Sequence, residues 1–139
     1  MTLTCTRTLH VPATVTRVVP PPPGHPHAAL PTNAAPLVFL DPGTAALPWT
    51  VDLGDTPAVS CCWFQSSLAV SRSDGTVTLL VPEHQLATQL TAAPSTLFGL
   101  CTHAGTLYGF APGPALTVVH TVDRSGHAAA LFSLQTTVL

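Results

Sequence analysis

The chain has very little charge. Of its 139 residues only 7% are charged, whereas roughly 25% is usual for soluble proteins. It contains no lysine and no isoleucine, and its four basic residues are arginines scattered along the chain. Nucleic acids and anionic membrane surfaces are bound by clustered basic residues. The sequence therefore predicts neither a nucleic-acid partner nor a membrane partner.

Long apolar runs and familiar cysteine spacings are also missing. No stretch approaches the ~18 apolar residues of a membrane span, and the first residues lack the apolar core of a signal peptide. The cysteines, with an adjacent pair in the middle, follow no zinc or redox spacing; they are Cys5, Cys61, Cys62 and Cys101. We interpret them as small buried side chains in a reducing compartment, and we expect a cytoplasmic or other intracellular location.

The N-terminal part divides into two pieces. Residues 1–19 are predicted to form one or two strands, because polar and apolar residues alternate in TLTCTRTLHV and ATVTRVV follows. Residues 20–36, PPPPGHPHAALPTNAAP, are predicted to be a polyproline loop or linker, since repeated prolines remove backbone donors. A proline-rich ligand for an aromatic groove is the alternative interpretation of this segment.

From Leu37 to the end, residues 37–139, short apolar segments alternate with turn residues. Each segment has the length of a strand and is rich in Val, Thr, Leu and aromatic residues. They are LVFLD, PWTVDL, AVSCCWF, SLAVS, TVTLLV, LATQLT, TLFGLC, TLYGFA, LTVVHTV and AAALFSL. No segment has a sustained helical pattern. The predicted fold class is all-β, built from antiparallel hairpins.

Two of these hairpins look alike at an offset of thirty residues. In SRSDGTVTLLVP and CTHAGTLYGFAP, the residues Gly75, Thr76 and Pro82 correspond to Gly105, Thr106 and Pro112. Both glycines fall where a tight hairpin turn needs a positive φ. This similarity predicts a repeated hairpin unit.

The residues from Leu37 to about Val122 resemble the pyrroloquinoline-quinone-type β-propeller repeat, and SDGTV hairpins resemble those of WD-type blades as well. In this repeat a strand ending in Leu-Asp is followed by a glycine-containing turn, a Trp-bearing strand and a SxDGxVxxL hairpin. The matching positions are Leu40–Asp41, Gly43–Thr44, Trp49, Ser73–Asp74–Gly75, Val77 and Leu79. A second hairpin resembles the next unit, with Gly105 before Leu107, Tyr108 and Phe110.

The resemblance implies blades, small antiparallel sheets that bury their apolar faces against one another. Closed propellers have 4–8 blades, and this chain has material for about two to three. The expectation is therefore a partial propeller-like fold, completed in a longer chain or by assembly. A β-sandwich or small barrel of similar hairpins is the alternative.

Candidate catalytic and metal residues are weak in this sequence. Cys101 and His103 are expected to share a strand face, and His25 and His27 have the same spacing, but two ligands do not hold zinc without others. Asp123, Ser125 and His127, or Ser73, Asp74 and His84, supply triad residue types without a GxSxG motif. We interpret Asp74 and Asp123 as turn residues that accept backbone hydrogen bonds. No catalytic residue, cofactor or metal site is predicted; a quinone enzyme would need calcium ligands, and the chain has one glutamate.

The aromatic residues are the best candidates for a function. They are interpreted as blade core or, alternatively, as an interaction surface on an exposed blade face; they are Trp49, Trp63, Phe64, Tyr108 and Phe110. The predicted function is a non-catalytic scaffold or protein-interaction module, which binds a protein partner or itself through a blade face or a strand edge. The alternatives are a small hydrolase or metal-dependent enzyme, and a truncated or recently arisen product without a defined activity.

Overall fold

The computed structural model describes the backbone of residues 7–92, 96–113, 116–122 and 128–135, and their side chains except those of residues 91, 92, 128 and 132. Within these ranges the chain forms eleven strands and no helix, so none of the described residues forms a membrane-spanning helix. The strands are β1 (Ala28–Pro31), β2 (Pro36–Asp41), β3 (Ala46–Asp52), β4 (Ala58–Phe64), β5 (Ser67–Arg72), β6 (Thr76–Val81), β7 (Leu86–Ala92), β8 (Phe98–His103), β9 (Thr106–Pro112), β10 (Leu116–Val122) and β11 (Ala128–Gln135).

The strands pair with their neighbours along the chain in three antiparallel sheets. Sheet 1 has the order β1-β2-β3, sheet 2 the order β4-β5-β6-β7 and sheet 3 the order β8-β9-β10-β11. The all-β prediction is confirmed, and every apolar segment predicted after Leu37 forms a strand. Gly75 and Gly105 have φ of 88° and 78°, as the predicted hairpin turns require. None of the three described sheets closes on itself.

The predicted N-terminal strands are formed only in part. Residues 7–11 belong to no strand, and residues 1–6 lie outside the described ranges. Residues 14–19, called the leading segment below, run beside β1 through two isolated bridges, Val15 to Thr32 and Val19 to Ala29. The leading segment therefore takes the place of a first strand in sheet 1.

The proline-rich segment contains a strand that the sequence did not predict. β1 lies inside residues 20–36 because Ala28, Ala29 and Leu30 keep their backbone donors between the prolines. The Ala29 amide and carbonyl both bond to Val19, with N to O distances of 2.9 Å. Pro31 ends the strand and only accepts a bond, from the Thr16 amide at 2.9 Å. The prolines limit β1 to four residues without preventing it.

The structure repeats about every forty residues rather than every thirty. The third strands of the sheets begin at Pro36, Thr76 and Leu116 when the leading segment is counted as the first strand of sheet 1. The thirty-residue similarity is real at the level of hairpins, but it aligns the middle hairpin of sheet 2, β5–β6, with the first hairpin of sheet 3, β8–β9. The predicted repeat was therefore displaced by one strand.

Two apolar clusters join the three sheets face to face. The cluster between sheets 1 and 2 includes Phe39 and Leu37 from β2 and Leu68, Val70 and Leu80 from β5 and β6. The cluster between sheets 2 and 3 contains eight buried residues, which are Phe64, Ala69, Val77, Leu97, Leu100, Leu107, Ala111 and Val122. Sheet 2 is therefore covered on both faces, and sheet 3 is covered on one.

Candidate interaction surface

The face of sheet 3 that points away from sheet 2 carries exposed apolar side chains. In β9, Leu107 and Ala111 point towards sheet 2, so the alternating residues point the other way. Cross-strand pairs continue this side through β8, β10 and β11. We call it the open face. Its large apolar members are Phe98, Tyr108, Phe110, Val119 and Leu134, and Thr106, Thr117 and Thr121 lie among them on the same side. Phe98 and Phe110 are each 38% exposed and Leu134 is 55% exposed.

A glycine with an unusual backbone conformation shapes the centre of the open face. Gly99 has a φ of 58° and lies at an irregularity in the β8–β9 pairing. A Cβ atom built on it would lie 2.5 Å from Cε1 of Phe110, so the Phe110 ring occupies the space of a side chain there. The ring centroids of Phe98 and Phe110 are 6.0 Å apart at an interplanar angle of 32°. Gly99 therefore allows the two rings to cluster.

The open face of sheet 3 corresponds to the covered face of sheet 2. Counted from the first hairpin turn of each sheet, the pair Phe98–Phe110 corresponds to the pair Ser60–Ser71. Ser71 Oγ donates to the Leu97 carbonyl at 2.6 Å, and Ser60 Oγ accepts from the Leu100 amide at 2.9 Å. The serine pair thus holds the first strand of the next sheet, whereas the phenylalanine pair presents rings.

No charged residue interrupts the open face. Strands β8 to β11 contain no Asp, Glu, Lys or Arg at any position. Cys101 and His103 lie on the same side at the end of β8, and both are exposed. An apolar face without charge meets another apolar face without leaving an unpaired ion.

Three of the five aromatic candidates pack between the sheets, one of them buried and two partly buried. Phe64 is 4% exposed and belongs to the cluster between sheets 2 and 3. Trp49 stacks on Phe39 with ring centroids 5.4 Å apart, and Trp63 packs beside them against the cluster between sheets 1 and 2. Neither tryptophan nor Phe64 lies on the open face, because each is covered by the neighbouring sheet. They are core residues, the first of the two interpretations from sequence.

The other two candidates, Tyr108 and Phe110, lie together on the open face. Sequence reasoning did not find Phe98, Val119 or Leu134, which complete it. Strand alternation alone would not have found them, because both faces of β9 are apolar. Counting from the first hairpin turn of each sheet could have found them, since it aligns Phe110 with Ser71 on the covered side of sheet 2.

The cysteines differ in burial. Cys61 is buried, Cys62 is partly buried and Cys101 is exposed, and all three are free thiols; Cys5 lies outside the described residues. Burial raises the pKa of Cys61 to about 11 and that of Cys62 to about 12, with a smaller contribution to Cys62 from Cys101. The predicted buried state fits Cys61. It does not fit Cys101, which stands on the uncovered side of sheet 3.

The residues considered as metal or triad candidates form no metal site in the described part of the chain. No group of three or more His, Cys, Asp or Glu there is arranged to hold a metal ion, and the described residues enclose no pocket. Asp74 Oδ1 accepts from the amide and hydroxyl of Thr76 at 2.9 and 2.6 Å, which is the predicted turn role. Asp123, Ser125 and His127 lie outside the described residues.

Side-chain contacts hold the proline-rich segment against sheet 2. The rings of His25 and Trp63 stack with centroids 6.4 Å apart, and His25 Nδ1 lies 3.5 Å from Glu83 Oε1. The Trp63 indole nitrogen is buried without a hydrogen-bond partner. The segment is therefore part of the folded unit rather than a free linker over this length.

The fold and this face define an all-β protein of stacked antiparallel sheets with one uncovered apolar side. No protein-family model matches the chain, and no curated protein matches it. Among solved structures it is similar to the computationally designed Ika4 protein, with a TM-score of 0.64 and 11% identity. That similarity covers 86% of this chain and 72% of the designed one. At this identity it concerns the fold alone.

Proposed function

We propose that this chain is a non-catalytic, propeller-like interaction module that binds the β-sheet surface of a protein partner through the open face. One observation carries the proposal: the face of sheet 2 that corresponds to the open face is covered by another sheet. Phe98, Phe110 and Leu134 are exposed together on sheet 3. Contiguous exposed apolar side chains are characteristic of interaction surfaces.

The chain's own interfaces indicate what kind of partner would fit. Both apolar clusters form between two antiparallel sheets packed face to face, and stacked sheets pack about 10 Å apart. A twisted sheet with apolar side chains on one face has the complementary shape. A partner sheet would cover the rings of Phe98 and Phe110 in the way that sheet 3 covers Phe64.

The propeller-like description is part of the same proposal. Each sheet is built from consecutive antiparallel strands, and the third strands recur every forty residues. β8 of sheet 3 packs against β4 and β5 of sheet 2, so the first strands of the two sheets are close neighbours. Blades arranged around an axis approach each other in this way.

A photo-cross-linker at position 110 tests the proposed function. Phe110→p-benzoylphenylalanine keeps an aromatic ring on the open face, and Thr50→p-benzoylphenylalanine is the control because Thr50 is exposed on β3 of sheet 1. After irradiation in the native host, we expect a discrete adduct at position 110 that is absent at position 50. Mass spectrometry should place the link at alternate residues of a strand in the partner.

Two results would contradict this function. One is cross-linking at position 110 that is no stronger or more discrete than at position 50. The other is a discrete adduct whose links fall on a helix or a disordered segment of the partner, since such a partner would not be a sheet surface.

A further inference from the structure

We propose that the partner on the open face is a second copy of this chain, bound around a two-fold axis so that the two open faces meet. This inference rests on the proposed function and names its partner. In this arrangement Phe98 and Phe110 of one protomer pack against the same pair of the other. Such an interface is isologous, the commonest kind in soluble oligomers.

The first reason is that the opposite end of the protein is already covered. Residues on the outer side of sheet 1 are buried by the chain's own residues: Ala28 is 3% exposed, Leu30 8% and Val38 0%. The exposed positions of β3 on this side include Pro48, Thr50 and Asp52, of which only Pro48 is apolar. A head-to-tail contact would need a free apolar face at both ends. Near sheet 1 the exposed large apolar side chains of the described residues are Leu9 and Val18, at 39% and 62%, and neither belongs to a strand of sheet 1. The open face instead presents Phe98, Phe110 and Leu134 on the strands of one sheet, and a single self-complementary face gives a closed dimer.

The second reason is the absence of charge. When two identical faces meet, any charge near the axis meets its own copy, and like charges placed together weaken binding. Strands β8 to β11 carry no formal charge. Two open faces that meet therefore bring no Asp, Glu, Lys or Arg side chain of these strands against its own copy.

The third reason is the replacement of the serine pair by a phenylalanine pair. A further sheet bound as sheet 3 is bound would need hydroxyl groups like those of Ser60 and Ser71 to hold its first strand. Phe98 and Phe110 offer none. Aromatic rings instead pack favourably on other rings, beyond the effect of their buried area. The open face therefore favours contact between its rings and those of a second open face over the binding of a further sheet in the way that sheet 3 is bound.

Light scattering after size-exclusion chromatography of the full chain tests the inference over a range of concentrations. We expect a species of twice the 14.4 kDa chain mass. Phe110→Glu and Phe110→Arg should each weaken the dimer at least tenfold, because like charges then face each other near the axis. Leu134→Glu, two strands away from Phe110 on β11, should weaken the dimer less. Thr50→Glu adds the same charge to the far end and should leave the dimer unchanged. Circular dichroism confirms that each variant is folded.

Mixing the variants tests the two-fold arrangement. Phe110→Glu and Phe110→Arg, each monomeric alone, should form a mixed dimer when combined, because opposite charges then meet across the axis. A dimer that tolerates Phe110→Glu, Phe110→Arg and Leu134→Glu would overturn the inference, as would a folded chain that stays monomeric at every concentration.

A hydrophobic dye separates the failure of this inference from the failure of the proposed function. A monomer that binds the dye, and loses that binding with Phe110→Glu but not with Thr50→Glu, would retain the open face as a docking site for a different protein. A monomer whose dye binding does not change with Phe110→Glu would contradict both proposals.

Discussion

Sheets 2 and 3 have the same strand order, but one face of sheet 2 is covered while the corresponding face of sheet 3 is exposed. The face of sheet 2 centred on Ser60 and Ser71 is covered, and both serines are buried at 8% and 1% exposure. The face of sheet 3 centred on Phe98 and Phe110 is open, with each ring 38% exposed. The buried face thus carries small polar residues at its centre and the exposed face carries large apolar ones, the reverse of what burial by hydrophobicity alone predicts.

Hydrogen bonding explains the serines. Ser71 Oγ donates to Leu97 O, and Leu100 N donates to Ser60 Oγ, so each buried hydroxyl has a partner on the chain leading into sheet 3. Such groups stabilise the fold only while their partners are in place. The covered face is therefore specific for β8 and its preceding residues. The open face has no such polar requirement and depends on apolar burial alone.

The largest expected change in the free energy of unfolding comes from alanine substitutions on the two sides of β9. Leu107 is fully buried towards sheet 2, and Leu107→Ala should lower the free energy of unfolding by about 2–5 kcal/mol through lost burial and a cavity. Phe110→Ala, on the open side, should cost about 1 kcal/mol or less in the monomer. Denaturant unfolding at low protein concentration measures both. Equal costs would mean that Phe110 is core and that the face is not open.

Removing a hydroxyl from each face should have the next largest effect. Ser71→Ala removes the donor to Leu97 O and leaves a buried carbonyl without that bond, which should cost about 1–3 kcal/mol. Thr121→Ala is the matched control on sheet 3, because the Thr121 hydroxyl lies in an exposed contact with Ala129 O at 3.5 Å. It should change the free energy of unfolding by less than about 0.5 kcal/mol. Similar losses of unfolding free energy in the two variants would contradict the stabilising role of the Ser71 hydrogen bond on the covered face.

The strands could be predicted from the sequence because hairpins are local. Alternating apolar residues and turns such as the one at Gly75 determine where a strand begins and ends, without reference to the rest of the fold. The place of a hairpin within its sheet is not local. The turns at Gly75 and Gly105 look alike, yet one joins the second and third strands of a sheet and the other joins the first and second. Sequence similarity at thirty residues therefore predicted hairpins correctly and their grouping incorrectly.

The candidate site could be predicted only in part, for a related reason. Phe64 and Phe110 are equivalent as residue types, and both stand in strands with apolar neighbours. Whether such a side chain is core or surface depends on whether another sheet lies against it. That is a property of the end of the stack, which no local pattern encodes. The strand β1 was not predicted, because the many prolines of residues 20–36 indicated a loop although three consecutive residues among them keep their backbone donors.

A substitution at Gly99 tests how the rings of the open face are arranged. Gly99→Ala should cost about 2 kcal/mol, of which about 1–2 kcal/mol is the strain of an L-residue at positive φ and the rest displacement of the Phe110 ring. Gly54→Ala is the control, since Gly54 has a φ of 67° and nothing within 4 Å of the added Cβ. In the Phe110→Ala background, Gly99→Ala should cost no more than Gly54→Ala. An unchanged cost there would mean that the ring does not occupy the Gly99 site.

Thiol reactivity compares the two faces without changing stability. Counted from the hairpin turns, Cys62 on the covered face corresponds to Cys101 on the open face. Burial raises the pKa of Cys62 to about 12, and the thiolate is the reactive form, so Cys101 should be alkylated first at pH 8. Peptide mapping by mass spectrometry after iodoacetamide treatment, with fragment ions to separate Cys61 from Cys62, measures both rates. Equal rates for Cys62 and Cys101 would contradict the difference in cover.

The buried thiols of Cys61 and Cys62 determine how the free energy of unfolding changes at alkaline pH. Because burial raises the folded-state pKa values of Cys61 and Cys62 above the ordinary value of 9.0, their contribution to stability is complete below about pH 9. It is lost as the pH rises towards 11 and 12, since the unfolded chain releases these protons first. Cys61→Ala should therefore reduce the fall in unfolding free energy between pH 9 and 11. A fall that is as steep in Cys61→Ala as in the unmodified chain would contradict the burial of the Cys61 thiol between sheets 1 and 2.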